Sequence, residues 1–119
     1  MTEAADAHHT RLELPEVVRR YQDAHDHHDT DRALSAFTSN ARVVDEEHEF
    51  RGVEQIRNWL DTAARRFTYT RTLVGVEVID PDTWLVVNRL EGDFPGGVVD
   101  LQYRFVVRDD LIVELVIAP

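Results

Sequence analysis

The strongest constraint on this chain is a change of hydrophobic rhythm part-way along it. From Leu14 the apolar residues fall at Leu14, Val17, Val18, Tyr21 and Ala24, the i, i+3, i+4, i+7 stripe of a helix with one buried face. Pro15 suits the first turn of that helix, which the pattern carries to His27 or His28. Asp29 or Thr30 can then cap a second, short helix whose buried side is Ala33, Leu34 and Phe37. The segment "ARVVDEEHEFRG" reads as one short hairpin. Gly52 opens a third helix with Val53, Ile56, Trp59, Leu60 and Ala63 or Ala64 inward. Beyond it the helical rhythm stops. Four strand-like runs follow at 67–79, 84–90, 98–107 and 111–117, parted by the turn-rich segments "DPD", "GDFPGG" and "RDD". Helices first and strands afterwards predict an α+β fold, three N-terminal helices packed in a strongly curved, mostly antiparallel sheet. Such a sheet closes into a cone with its own cavity.

With 119 residues the chain has room for one domain, placed at 13–119 behind an acidic, polar segment at 1–12 that reads as a disordered tail. No apolar run approaches the roughly 20 residues a membrane span needs, and "MTEAADAHHTR" resembles neither a signal nor a transit peptide. The formal net charge of −10 disfavours nucleic acid and anionic membrane surfaces as partners. Cysteine is absent, which excludes disulfides and thiolate chemistry and makes the cytoplasm the expected compartment. All thirteen basic residues are arginine, so there is no lysine for Schiff-base chemistry or a P-loop. The two serines, Ser35 and Ser39, lack a nucleophile-elbow context. What remains for chemistry is carboxylates, histidines and tyrosines, the side chains of proton transfer.

"DAHDHHDTD", 23–31, holds three histidines and four aspartates. His25 and His28 are spaced i, i+3, as two metal ligands could be, but no third ligand suggests itself, and neither metal nor cofactor is expected. His25 alone continues the inward direction of Tyr21, four residues on. It is either an acid–base group facing the interior or a core histidine bonded to a backbone carbonyl. Asp29 to Asp31 reads as a cap between helices, His27 as a solvated residue and His28 as structural.

The stretch "VVRRYQDAHDHHDTDRALSAFTSNARVVD" resembles the opening of the ketosteroid isomerases, members of the nuclear transport factor 2-like superfamily. That superfamily also holds the SnoaL-like polyketide cyclases, scytalone dehydratase and limonene epoxide hydrolase. "G-x-x-x-I-R" at Gly52, Ile56 and Arg57 and "QYRF" at 102–105 continue the frame, so the resemblance spans roughly Pro15 to Ile117. It places Tyr21 on the family's oxyanion-binding tyrosine and Asp45 on its general-base aspartate. The isomerases' second oxyanion donor, a protonated aspartate, falls on Leu101. Asp100 beside it would point to the opposite face of its strand.

Several residues remain open at this level. Asp45 shares a strand face with Val43, so it looks inward with it or merely starts a polar turn. Tyr21 is a donor or a core aromatic. Asn88, on the apolar face of Trp84, Val86 and Leu90, is a ligand-binding group or a partner for a neighbouring strand. Tyr103 and Phe105 join Leu101 on an inward face, with Tyr103 or Asn88 positioned to replace the missing donor. Trp59 and Phe67 are core or pocket wall. Together these residues predict a small, apolar or carbonyl-containing ligand held in a homodimer formed through the outer face of the sheet. A stand-alone binding or dimerisation domain is the rival. A purely structural domain would fill its cavity and pair Asp45 with Arg42 or Arg51.

Overall fold

In the computed structural model, residues 14–119 are described, so the tail expected at 1–12 lies outside the described residues. Helix α1, Glu16–Asp26, starts directly after Pro15, whose carbonyl accepts the Val18 and Arg19 amides. A proline cannot donate an amide, and at a helix start none is needed. The helix buries Val17, Val18, Tyr21 and Ala24. It ends where the His28 amide donates to the His25 carbonyl at 3.0 Å and the Asp29 amide to that of Ala24 at 2.8 Å. That crossed pair closes a helix at a left-handed residue. Here the residue is His28, at φ 58, a conformation costing about 1 kcal/mol for a residue with a side chain. Asp29 then accepts the Arg32 amide through its side chain at 3.2 Å and opens α2, Thr30–Leu34.

Strand β1 runs from Phe37 to Asp45, and β2 from His48 to Arg51. Phe37, expected on the second helix, instead begins β1, with the register shifting between Phe37 and Arg42. The intervening Glu46 and Glu47 both take positive φ, 52 and 67, the twist that a two-residue hairpin requires. Gly52, at φ 85, turns the chain into α3, Gly52–Asp61. Ile56, Trp59 and Leu60 form the inner face of α3. Val53 lies in its first turn and is exposed, contrary to expectation, because the inward stripe starts one turn later. The helix stops at Asp61, and a 3₁₀ turn, Ala63–Arg65, follows. Ala64 stays packed on the core there, while Ala63 is exposed.

The remaining strands are β3, Tyr69–Asp80, β4, Thr83–Gly92, β5, Val98–Arg108, and β6, Leu111–Ala118. They form the expected antiparallel meander. The hairpin is not separate from it, because β1 pairs in parallel with β6. All six strands therefore form one mixed sheet in the order β2-β1-β6-β5-β4-β3. Register breaks in β3 and between β5 and β6 locally bend and twist it. The helices lie in its concavity. Tyr21 packs edge-on against Phe37 and Phe105, ring centres 5.3 and 5.9 Å away, and Trp59 lies 6.1 Å from Phe50.

Candidate active site

Helix α1 and helix α3 leave part of the concavity open. Between them and strands β1, β3, β4, β5 and β6 is a cavity of about 630 Å³, enough for a ligand of several rings. Its inner wall carries Tyr21 and His25 from α1, Trp59 from α3, Asp45 from β1 and Tyr103 from β5. Leu90, Val99, Leu101 and Ile117 supply aliphatic surface. Glu46, Glu47, Arg66 and Pro95 also line it and are exposed, so they mark its mouth.

Asp45 is the last residue of β1 and follows Val43 on the same face, which turns its carboxylate inward beside buried Val43. The Trp59 indole N–H donates to it at 3.0 Å. Burial pushes the Asp45 carboxyl above its usual range, and the Trp59 hydrogen bond opposes that only in part. Neither arginine that a structural role would have supplied reaches it. Arg42 is held by Glu114 at 2.7 Å and Glu49 at 3.0 Å, and Arg51 by Glu49 at 2.8 Å.

Three phenols share the cavity wall: Tyr21, Tyr69 and Tyr103. Burial raises all three, Tyr69 to about 12, so each stays protonated and available as a donor. Among the described residues none of their hydroxyls has a protein partner, yet the one sealed, unpartnered side-chain atom is Arg20 Nε. The phenol oxygens therefore open onto the cavity. The His25 ring stands 5.8 Å from that of Tyr21 and 6.2 Å from that of Trp59. Burial lowers its pKa to about 4, which leaves it neutral at neutral pH. Among the described residues no protein hydrogen bond holds the ring.

Of the residues singled out from sequence, Tyr21, His25, Asp45, Trp59, Leu101 and Tyr103 converge on this space. Asn88 and Phe105 do not line it. Asn88 is fully buried behind the wall, donating to Gln22 at 2.9 Å and accepting from Arg71 at 3.2 Å, while Phe105 packs under Tyr21. Alternation along a strand fixes the face, and both residues share the correct face, but it does not fix depth. Asp100 pairs outward with Arg89 at 2.8 Å. Tyr69 was missed, although it alternates with Phe67 and Arg71 on the strand run that carries them. Among the described residues no three of His, Asp and Glu gather as a metal site requires, and no helix is long and apolar enough to cross a membrane.

Comparison with known families settles the lineage. The SnoaL-like domain model matches residues 18–115. The chain belongs to the SnoaL-like domain family. A Sinorhizobium meliloti protein assigned as a polyketide cyclase superposes with a TM-score of 0.83 at 34% identity, covering 90% of this chain and 97% of that one. A Catenulispora acidiphila protein with a ketosteroid isomerase-like fold, solved with trimethylamine, gives 0.76 at 17% identity over 88% and 85% of the two chains. A Mycobacterium tuberculosis protein solved with estradiol-17β-hemisuccinate gives 0.72 at 16% identity over 87% and 90%. The latter two share the cone-shaped, nuclear transport factor 2-like fold. No functionally curated protein matches the sequence.

Proposed function

We propose that this SnoaL-like domain binds a small, largely apolar carbonyl compound and moves a proton on it. The observation that carries the reading is Asp45: a half-buried carboxylate on the cavity wall with one indole N–H as its side-chain hydrogen-bond partner and no arginine bonded to it. Poor solvation makes such a group a stronger base. In the proposed reaction Asp45 removes a proton from the carbon next to the ligand carbonyl, and the bonding pair moves onto the carbonyl oxygen. The Tyr21 hydroxyl donates a hydrogen bond to that oxygen as negative charge grows on it. Asp45, now protonated, returns the proton to another carbon of the same conjugated system. His25, neutral, assists as donor or acceptor, and Tyr103 supplies the second donor in place of the residue that Leu101 lacks. No metal or cofactor takes part. A protein of the same fold was solved with estradiol-17β-hemisuccinate, and a cavity of about 630 Å³ has room for a ligand of that size.

The test is an isomerisation assay on a Δ5-3-ketosteroid, read as growth of the conjugated enone absorbance. Asp45→Asn is expected to lower the rate by about 100-fold or more. An unchanged rate removes Asp45 from its role. The second reading is a ligand carrier without turnover. It is favoured by Leu101, an aliphatic residue where the isomerases have a donor, and it predicts binding that survives Asp45→Asn with no rate in either protein. The expected homodimer and cytoplasmic setting belong to the same proposal. The exposed apolar residues Leu73, Val74, Val78 and Ile79 gather on strand β3 and support self-association through the sheet.

A further inference from the structure

We propose that the ligand of this cavity carries a positive charge at the end that reaches the mouth, as an ammonium or quaternary ammonium group on a largely apolar skeleton. This rests on reading the cavity as a ligand site and adds the charge of what it takes. The ionisable groups on the lining are unbalanced. Asp45, Glu46 and Glu47 face a single guanidinium, Arg66. That guanidinium is already answered, because it meets Glu46 at 2.9 Å and stands 4.8 Å over the Phe67 ring. Glu47 has no ion-pair partner among the described residues. Deeper in, His25 adds no charge at neutral pH, since burial holds it unprotonated.

The mouth also offers the surface that a cation prefers. Phe94 is flanked by Phe67 and Tyr69, ring centres 6.0 and 6.5 Å away in edge-to-face contact, and all three line the cavity. Edge-to-face packing leaves ring faces available, and a cation over such a face is drawn to the negative π-cloud of the ring. Arg66 over Phe67 is the same interaction made within the chain. An anionic end group would instead meet two carboxylates and would have to take Arg66 from Glu46. The chain's net charge of −10 adds a field that draws cations in. Tyr21, nearly fully buried with a hydroxyl that has no partner among the described residues, and Asp45 lie inward of this mouth, so a carbonyl at one end and an ammonium at the other are served together.

The experiment is calorimetric titration of the intact chain with three probes on one skeleton. These are 2-acetylnaphthalene and its two analogues bearing a trimethylammonium or a carboxylate group on the far ring. The ammonium probe is expected to bind about tenfold more tightly than the neutral one, and the carboxylate probe more weakly than either. Glu47→Gln is expected to narrow the ammonium-to-neutral ratio to about threefold. Equal affinity for all three probes overturns the charge preference and leaves the cavity as a neutral-ligand site. Tighter binding of the carboxylate probe, lost in Arg66→Gln, overturns it in favour of an anionic ligand. Failure of all three to bind overturns the ligand-site reading itself.

Discussion

Two aspartates act electrostatically on the buried tyrosines of the cavity wall, and the chain treats them in opposite ways. Asp26, at the end of α1, is gripped by Arg71 through three contacts of 3.0, 3.1 and 2.7 Å, and Arg71 passes on to Asn88 and through it to Gln22. Asp45 receives one indole N–H. The first carboxylate is fully satisfied and ties α1 to β3 and β4. The second is left underserved in an apolar wall. A satisfied ion pair has little left to offer a ligand, whereas an undersolvated carboxylate has a proton affinity to spend. The difference separates a brace from a reagent.

The sharpest way to break this comparison is to remove each acid's function in turn. Asp45→Asn is expected to lower the isomerisation rate by about 100-fold or more while leaving stability equal or slightly higher, since an unpaired carboxylate leaves an apolar wall. Arg71→Met is expected to do the reverse. It strands Asp26 and Asn88 and costs about 2–3 kcal/mol of stability by urea unfolding, with activity per folded molecule largely retained. If Arg71→Met abolishes turnover at unchanged stability, the brace is part of the reagent and the division fails.

That division was only half legible in the sequence. The stripe of α1, the Asp29 cap and the Asp45 turn are local, and the pattern over ten residues determines each of them. Phe37 was placed on a helix because it is buried either way, and burial alone does not distinguish a helix end from a bulged strand start. The β1–β6 pairing joins residues some seventy positions apart, which no local pattern encodes. Arg71 sits in "TRT", a polar stretch of the strand-like run 67–79. Its partner Asp26 is 45 residues away, so its role depends on the bend that brings β3 under α1. Asn88 was read as a pocket group or a partner for a neighbouring strand, and the second is what forms, through Arg71 of β3.

Acid provides the next test, through the histidine beside Asp26. Burial lowers His25 from 6.5 to about 4, so the unfolded chain binds a proton there that the folded chain refuses. Stability from this group is complete above pH 6.5 and declines as pH falls towards 4, by up to about 3 kcal/mol. Asp45 has the opposite sign. Its native pKa is raised, so it weakens the fold as pH rises from 3.8 through its native value. Urea midpoints at pH 7, 5.5 and 4.5 should therefore fall less steeply with acid in His25→Gln than in the wild type, and more steeply in Asp45→Asn. A His25→Gln curve parallel to that of the wild type would mean that the imidazole is hydrated in the native state.

A smaller effect is expected at the indole. Trp59→Phe keeps the ring in the core but removes the side-chain donor on Asp45, at about 1 kcal/mol of stability. With that hydrogen bond gone, only the Arg66 charge and the Glu46 amide still oppose burial at Asp45, and the acidic limb of the pH–rate profile should move up. A stability loss without that displacement would mean that Trp59 serves packing alone.

The smallest expected effect tests the second donor. The Tyr103 hydroxyl makes no protein hydrogen bond among the described residues, and the ring stacks on Phe105 at 6.4 Å. Tyr103→Phe keeps that stack and removes only an oxygen that faces the cavity, so stability should change by less than about 0.5 kcal/mol. If the phenol replaces the donor missing at Leu101, the rate should nevertheless fall by about tenfold, the low end for one of two oxyanion donors when Tyr21 remains. A silent Tyr103→Phe alongside a damaging Tyr69→Phe would transfer the role to β3, where Tyr69 lies two residues from Arg71. The division between brace and reagent would then run along a single strand.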